Sequence, residues 1–249
     1  MFHAGTPSGK RLMPEPRYKI GLIVPANNSV IEPELWSLSL PDVAFYATRI
    51  MAKGNLTGEA VLKMEATVDR AVDELVATGV DVIVYADMVT TFIMDRNWNE
   101  IRTAEISNRA GIPCVSAWTA LRDALERLEI ARFAVGTPYP ANIHELVPDY
   151  FTDKGYVITA EATLDVLSMR EVAKVKPGSI VRVARSISMA PAEAVVFLAT
   201  DLHTFDILDE MENELGLPVL SSNQTILWAA LKTVGYPAET QGPGRLFAQ

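Results

Sequence analysis

Two aspartates come just after apolar, strand-like runs of the sequence. Asp87 follows the run Val80–Tyr85, and Asp201 follows the run Ala194–Leu198. Two carboxyl groups that face each other across a cleft suit acid–base chemistry. Repulsion between like charges separates their pKa values, so one group keeps a proton while the other is ionised. An Asp after a strand also commonly caps the next helix, so the recurrence, rather than either Asp alone, predicts a catalytic pair.

Small polar side chains follow several of the predicted strands. The stretch Pro25–Ser29 follows the first strand, Thr137–Asn142 follows a strand near the middle of the chain, and Ser221–Gln224 follows the last. Free backbone N–H groups at a helix N-terminus favour a carboxylate ligand, although ordinary helix capping explains any one of these stretches equally well. The candidate substrate-binding residues are Asn27, Asn28, Thr90, Tyr139, Thr200, His203, Ser222 and Asn223.

The remaining reactive side chains predict neither a metal site nor a cofactor site. Cys114 is the only cysteine, and its apolar surroundings favour an inert core thiol over a reactive one. Asp87, Asp201 and His203 are suitable ligand types for a metal, but their spacing is not diagnostic. The sequence contains none of the glycine-rich nucleotide motifs, the HExxH motif or the CxxC motif. None of these patterns therefore indicates a particular metal or cofactor site.

Apolar runs and amphipathic segments alternate along the chain, which predicts a parallel sheet covered by helices. The predicted strands are Lys19–Val24, Val43–Arg49, Val80–Tyr85, Pro113–Val115, Arg132–Gly136, Val157–Glu161, Ala194–Leu198 and Pro218–Leu220. The longer predicted helices are Gly58–Thr78, Asn99–Ala110, Thr119–Leu128, Thr204–Leu215 and Thr225–Val234. Shorter helices are expected through Glu34, Leu35 and Leu38, through Ile143 and Val147, and between Ser179 and Ser188.

The order of elements repeats, which indicates an internal duplication. Three landmarks recur after 113, 114 and 105 positions: Pro25 and Pro138, Asp87 and Asp201, and the Gly-x-Pro motifs that begin at Gly111 and Gly216. The predicted fold class is α/β, with two similar parallel-sheet βαβ halves related by pseudo-twofold symmetry and an active site in the cleft between them. The predicted divisions are an N-terminal tail, 1–17; an N-terminal half, 18–130, whose last helix can cross over; and a C-terminal half, 131–249.

Composition narrows the range of partners. The chain has 249 residues and a formal net charge of −9, which argues against nucleic acid and anionic membranes as partners. Neither a membrane-length apolar run nor a signal-peptide core is present, so we expect a soluble, cytoplasmic protein. The expected partners are a small carboxylate or its derivative and further copies of the chain, as a dimer or tetramer.

The motif residues resemble a known superfamily over roughly residues 18–240. The resemblance rests on Gly21–Asn28, Thr137–Tyr139 and Pro218–Gln224 followed by Trp228. These segments resemble the aspartate/glutamate racemase superfamily, and within it the maleate cis–trans isomerase and arylmalonate decarboxylase branch. The resemblance implies cofactor-free chemistry in which two cysteines, one from each half, face a small carboxylate held by polar loops. It also implies that Asn27 and Tyr139 lead the substrate-binding residues, with Ser222 and Asn223 behind them.

The chain departs from this pattern at the reacting groups. The two cysteine positions correspond to Asp87 and Asp201, and Met169 falls where a polar substrate-binding residue is expected. A carboxylate adds poorly to an alkene, so we do not expect isomerisation by thiol addition. We expect a cofactor-independent isomerase, racemase, decarboxylase or lyase that moves protons through both aspartates. The alternatives are a hydrolase of a small ester, lactone or amide with Asp-activated water, and a catalytically inactive protein that binds small acids.

Overall fold

The computed structural model describes residues 15–188, 191–237 and 242–248. Most of the predicted tail, residues 1–14, lies outside this range. In chain order the strands are β1 (Tyr18–Pro25), β2 (Val43–Ile50), β3 (Val82–Tyr85), β4 (Cys114–Ser116), β5 (Arg132–Thr137), β6 (Val157–Thr163), β7 (Ala194–Phe197) and β8 (Val219–Ser221). They form two four-stranded sheets, ordered β2-β1-β3-β4 and β6-β5-β7-β8.

Helices connect these strands. The helices of the first half are α1 (Ile31–Ser37), α2 (Gly58–Glu65), α3 (Val68–Thr78), α4 (Thr90–Ile93), α5 (Trp98–Ala110) and α6 (Ala117–Arg127). Those of the second half are α7 (Ala141–His144), α8 (Leu146–Asp153), α9 (Met169–Val172), α10 (Pro177–Ile187), α11 (Phe205–Leu215) and α12 (Ser222–Thr233), followed by a 3₁₀ turn at Arg245–Ala248. Within the described ranges, no helix combines the length and apolar composition needed to span a bilayer.

The two sheets have the same strand order and all of their strand pairs are parallel, which confirms the predicted α/β class. Every residue of β3 and of β7 is buried, because helices cover both faces of a parallel sheet. The carboxyl ends of β1, β3, β5 and β7 therefore present the loops that carry Asn27, Asp87, Tyr139 and Asp201. Ligands of open parallel sheets bind at this edge.

The two halves pack together through helices and aromatic rings. Helix α12 of the second half packs against α6, β3 and β4 of the first half. The Trp118 ring, on α6, makes edge-on contacts with the Tyr150 and Phe151 rings, on α8, at centroid distances of 5.1 and 5.8 Å. Trp118 and Phe151 are almost fully buried, so this interface is part of one continuous core.

Several predicted helices have limits that differ from those in the structure. The helix expected through Ile143 and Val147 is two short helices, α7 and α8, and the helix predicted from Thr119 begins at Ala117. The predicted helix Gly58–Thr78 is two helices, because the chain breaks at Ala66 and Thr67. The Thr67 hydroxyl donates a hydrogen bond to the carbonyl oxygen of Met64 at 2.8 Å, and such local bonds compete with regular helix. The last helix begins at Ser222 rather than Thr225, because Ser221 and Gln224 form a capping box. Helices α4 and α9 are short and were not predicted.

Candidate active site

A cavity lies at the carboxyl ends of the strands and is lined by both halves. It encloses about 470 Å³ of space free of protein atoms, including its opening to solvent. Its polar lining comprises Asn27, Asn28, Asp87, Tyr139, Thr200 and Asp201. Its other lining residues are Pro25, Ala52, Leu56, Val61, Met64, Met88, Val89, Met169, Val172 and Ala199. The two predicted catalytic carboxyls therefore share one cavity.

Asp87 is held by the start of α4. Its side chain is 5% exposed. Oδ1 accepts hydrogen bonds from the backbone N–H of Thr90 at 2.9 Å and from the Thr90 hydroxyl at 2.6 Å. Burial raises the pKa of Asp87 above its usual value, and the two bonds from Thr90 oppose that rise because they favour the ionised form. These donors stabilise the ionised form of Asp87.

Asp201 lies in a strained loop after β7. Ala199 has a φ of 141°, a region that non-glycine residues rarely adopt. Its N–H donates to the Ser222 hydroxyl at 3.1 Å. The next side chain, Thr200, donates through its hydroxyl to the carbonyl oxygen of Ala86 at 3.0 Å and accepts from the Asn28 amide at 3.0 Å. The loop that carries Asp201 is therefore fixed to the first half of the chain.

The carboxyl group of Asp201 favours its protonated form. Burial raises the pKa of Asp201 to about 7, and the negative charge of Asp87 adds to the rise. A hydrogen bond from the backbone of Asp201 itself opposes the rise, and so does the Asn27 amide, which donates to Oδ2 at 3.2 Å. A carboxyl group with a pKa near 7 can donate or accept a proton at neutral pH. The two aspartates thus lie close enough to interact electrostatically, and the charge of Asp87 favours the protonated form of Asp201.

Tyr139 and Asn27 present polar atoms without protein partners. The buried Tyr139 hydroxyl and the buried Asn27 Oδ1 make no hydrogen bond to any described residue. Burial, together with the charges of Asp87 and Asp201, raises the pKa of Tyr139 well above its usual value. The phenol therefore stays protonated and remains a hydrogen-bond donor. A buried group without a partner is costly, so a ligand that pairs with both residues is favoured.

Four predicted substrate-binding residues do not line this cavity. Thr90 bonds to Asp87, and Ser222 accepts from Ala199, so both act on the loops that carry the carboxyls. Asn223 is fully buried in the first turn of α12, and its amide donates to Thr200 O at 3.0 Å. His203 is half-buried and is not among the lining residues. The structure therefore brings none of these four side chains into the lining of the cavity.

Glu34 is a buried acid that the sequence analysis missed. It lies on α1 and is 7% exposed. Oε1 accepts from the backbone N–H groups of Thr204 and Phe205 at 2.6 and 3.0 Å, and Oε2 accepts from the Asn223 amide at 2.7 Å. Through these bonds a helix of the first half holds the start of α11 and the residues that follow Asp201. An acid on the apolar face of an amphipathic helix was the available sequence signal.

Cys114 and Met169 differ in their relation to the cavity. Cys114 pairs with Ile83 in the first sheet and does not line the cavity, and burial raises the pKa of its thiol to about 12. Met169 does line the cavity, and its carbonyl oxygen accepts from the Asn27 amide at 3.2 Å.

Among the described residues, no group of three or more His, Cys, Asp or Glu side chains is arranged to hold a metal ion.

Comparison with known proteins identifies the family. The family model of arylmalonate decarboxylase matches residues 20–247. The chain belongs to the arylmalonate decarboxylase family. It is 28% identical to arylmalonate decarboxylase from Bordetella bronchiseptica over 92% of this chain and 95% of that one. It is also 25% identical to maleate isomerase from Geobacillus stearothermophilus over 93% of this chain and 97% of that one.

Solved structures agree with this assignment. Maleate isomerase from Pseudomonas putida S16, crystallised with maleate, superposes with a TM-score of 0.88 at 26% identity, covering 93% of this chain and 97% of that one. A Nocardia farcinica maleate isomerase mutant with a covalently bound succinylcysteine intermediate also gives 0.88 at 26% identity, covering 92% and 98%. The resemblance to the isomerase and decarboxylase branch is confirmed. No relative named here is a hydrolase, so the hydrolytic alternative gains no support.

Proposed function

We propose that this family member is a cofactor-independent enzyme of isomerase type that moves a proton at carbon between Asp87 and Asp201. The observation that carries the proposal is a cavity shared by two interacting carboxyls, one of which has a pKa of about 7. A pair with unequal proton affinity supplies a base and an acid at once. The succinylcysteine of the Nocardia relative has no counterpart here, because the only cysteine lies outside the cavity.

The two aspartates take different roles. Asp87 is the ionised base, because the Thr90 N–H and hydroxyl stabilise its negative charge. Asp201 is the acid, because burial and the neighbouring charge keep a proton on it near neutral pH. Asp87 removes a proton from the carbon next to a carbonyl or carboxyl group, and Asp201 delivers its own proton to the opposite face or to a conjugated carbon. Proton exchange with solvent then restores the starting state.

Tyr139 and Asn27 orient the substrate in this proposal. Proton removal places negative charge on the substrate oxygen, and the unpaired Tyr139 hydroxyl is a donor that can bind that oxygen. Its raised pKa keeps it from losing the proton to the developing enolate. Asn27 donates to Asp201 and to the backbone of Met169, so its free Oδ1 is left to accept from the substrate.

Decarboxylation is the second candidate, favoured by the apolar part of the cavity. The lining residues Leu56, Val61, Met64 and Val172 exclude water from one side of a bound acid. An apolar environment disfavours a carboxylate anion relative to neutral carbon dioxide and a delocalised product. Asp201 alone would then protonate the resulting carbanion, and Asp87 would not be required as a base.

Deuterium incorporation tests the proposal. The protein is incubated in heavy water with a panel of unsaturated and 2-substituted mono- and dicarboxylates, and NMR detects carbon-bound deuterium and loss of carbon dioxide. Asp87→Asn and Asp201→Asn should each lower turnover roughly 100-fold or more if both residues transfer protons. Asp149→Asn, on an exposed position of α8, is the control with the same chemical change and should leave the rate unchanged.

The pattern across the variants separates the candidates. Loss of activity in both variants supports the two-residue isomerase, whereas loss only in Asp201→Asn supports decarboxylation. Full activity in both variants refutes both. Incorporation of oxygen-18 from labelled water, without deuterium at carbon, would instead show hydrolysis.

A further inference from the structure

The cavity contains negative charge without a positive counterpart. Asp87 and Asp201 line it, and no Lys, Arg or His is among the described residues that do. The Arg49 guanidinium contacts the backbone of two lining residues, but it is held by Glu32 and by the carbonyl oxygens of Pro25 and Asn28. A substrate anion that enters the cavity therefore meets at least one like charge and no compensating cation from the described part of the chain.

The rest of the lining is apolar and comes from connected segments. Val61 and Met64 lie on α2, Val172 lies on α9, and Leu56 lies between β2 and α2. All four are less than 8% exposed, so their side chains form a packed wall rather than a solvated rim. An apolar wall favours hydrocarbon and disfavours a second charged group.

The unpaired polar atoms fit a single polar group. The free Tyr139 hydroxyl is a donor, and the free Asn27 Oδ1 is an acceptor. The orientation of the Asn27 amide is determined by the Met169 carbonyl oxygen, because that oxygen can only accept a hydrogen bond and so must face the Asn27 nitrogen. An acceptor at this place repels a carboxylate and favours an N–H or O–H of the ligand. The Tyr139 hydroxyl can therefore donate to one substrate carboxylate, and the Asn27 Oδ1 disfavours a second carboxylate beside it.

We infer that the substrate is a small acid with no more than one carboxylate and with an apolar substituent that lies against α2 and α9. This inference rests on the proposed function for the identity of the site. The inferred substrate differs from the ligand of the Pseudomonas relative, which was crystallised with the dicarboxylate maleate. The two aspartates are the chemical reason for the limit of one carboxylate, because a second substrate carboxylate would add a further like-charge pair with them.

Equilibrium binding tests the inference without any need for turnover. Calorimetry at pH 8 compares matched pairs that differ by one carboxylate: phenylacetate with phenylmalonate, and butyrate with succinate. The monocarboxylate of each pair should bind on the order of 10- to 100-fold more tightly, as expected for one extra like-charge pair about 8 Å apart at an effective dielectric of about 20. Phenylacetate should also bind more tightly than acetate.

The Asp87→Asn variant provides the decisive comparison. Removal of this charge should reduce the preference for the monocarboxylate about 10-fold or more, whereas Asp149→Asn, which changes the net charge equally, should leave the preference unchanged. Equal affinities within each pair, an unchanged preference in Asp87→Asn, or no binding by any monocarboxylate would overturn the inference. Equal affinities together with loss of turnover in both aspartate variants would overturn only the inference and leave proton transfer intact.

Discussion

Asp201→Asn should make the protein more stable at alkaline pH than the wild type. The folded-state pKa of Asp201 is about 7, against an ordinary value of 3.8, chiefly because the carboxyl group is buried. The folded protein therefore binds a proton that the unfolded chain has already lost between these two pH values. The resulting stabilisation is fully present below about pH 4 and is lost as the pH rises through about 7.

The size of this effect follows from the pKa difference. A shift of about three units corresponds to about 4 kcal/mol at most. Asp201 retains partial exposure to the cavity, which screens its charge, so we expect about 2 kcal/mol in practice. Asparagine is nearly isosteric, cannot ionise and keeps an oxygen that can accept from Asn27. The variant should therefore lack this part of the pH dependence.

Urea denaturation at pH 5 and pH 8 measures the effect. The free energy of unfolding of Asp201→Asn relative to wild type should rise by about 1 kcal/mol between the two values, because part of the stabilisation is already lost at pH 5. Asp149→Asn is the control that shows no such rise. A difference between variant and wild type that is the same at both pH values would show that Asp201 does not titrate in this range. The argument for a protonated acid at neutral pH would then fail.

Three further substitutions test the surroundings of the pair. Thr90→Val removes the hydroxyl that donates to Asp87 and should raise the pKa of that carboxyl, which would move the acid limb of the pH–activity profile to higher pH. An unmoved limb would contradict the role given to Thr90. Glu34→Ala leaves two backbone N–H groups without their acceptor and should lower the free energy of unfolding by about 2–4 kcal/mol in chemical denaturation. Glu34→Gln keeps an oxygen acceptor and should have a much smaller effect. Equal losses of stability in the two variants would argue against these bonds. Tyr139→Phe and Asn27→Ala should each reduce kcat/KM roughly 10- to 100-fold with little loss of stability, and unchanged kinetics in both would remove them from the substrate site.

Much of the fold follows from patterns that are local in sequence. Fully buried strands such as Val82–Tyr85 and Ala194–Phe197 are apolar throughout, so the sequence identifies them and their parallel arrangement. Helix limits depend on side-chain hydrogen bonds that periodicity does not report. The Thr67 hydroxyl interrupts a continuous apolar pattern, and Ser221 starts the last helix three residues earlier than the pattern indicates.

The site was predictable to the extent that it follows from topology. Asn27, Asp87, Tyr139 and Asp201 all follow strands whose carboxyl ends meet at one edge, so their shared cavity could be expected before the structure. Position after a strand does not determine where a side chain points, which is why Ser222, Asn223 and His203 were proposed alongside them. Glu34 escaped notice because its partners, Thr204 and Phe205, are about 170 residues away in the chain and bind through their backbone.

The most direct test of the central claim is a carbon-13 NMR titration of the aspartate carboxyl groups, which needs no substrate. The account predicts one carboxyl resonance that titrates near pH 7, is absent from Asp201→Asn and titrates at lower pH in Asp87→Asn, because the repulsion from Asp87 is then removed. Two results would contradict the account. In the first, Asp201→Asn removes no resonance that titrates above about pH 5. In the second, the Asp201 resonance titrates at the same pH in Asp87→Asn as in the wild type. Either result would show that the two aspartates do not form a coupled acid–base pair.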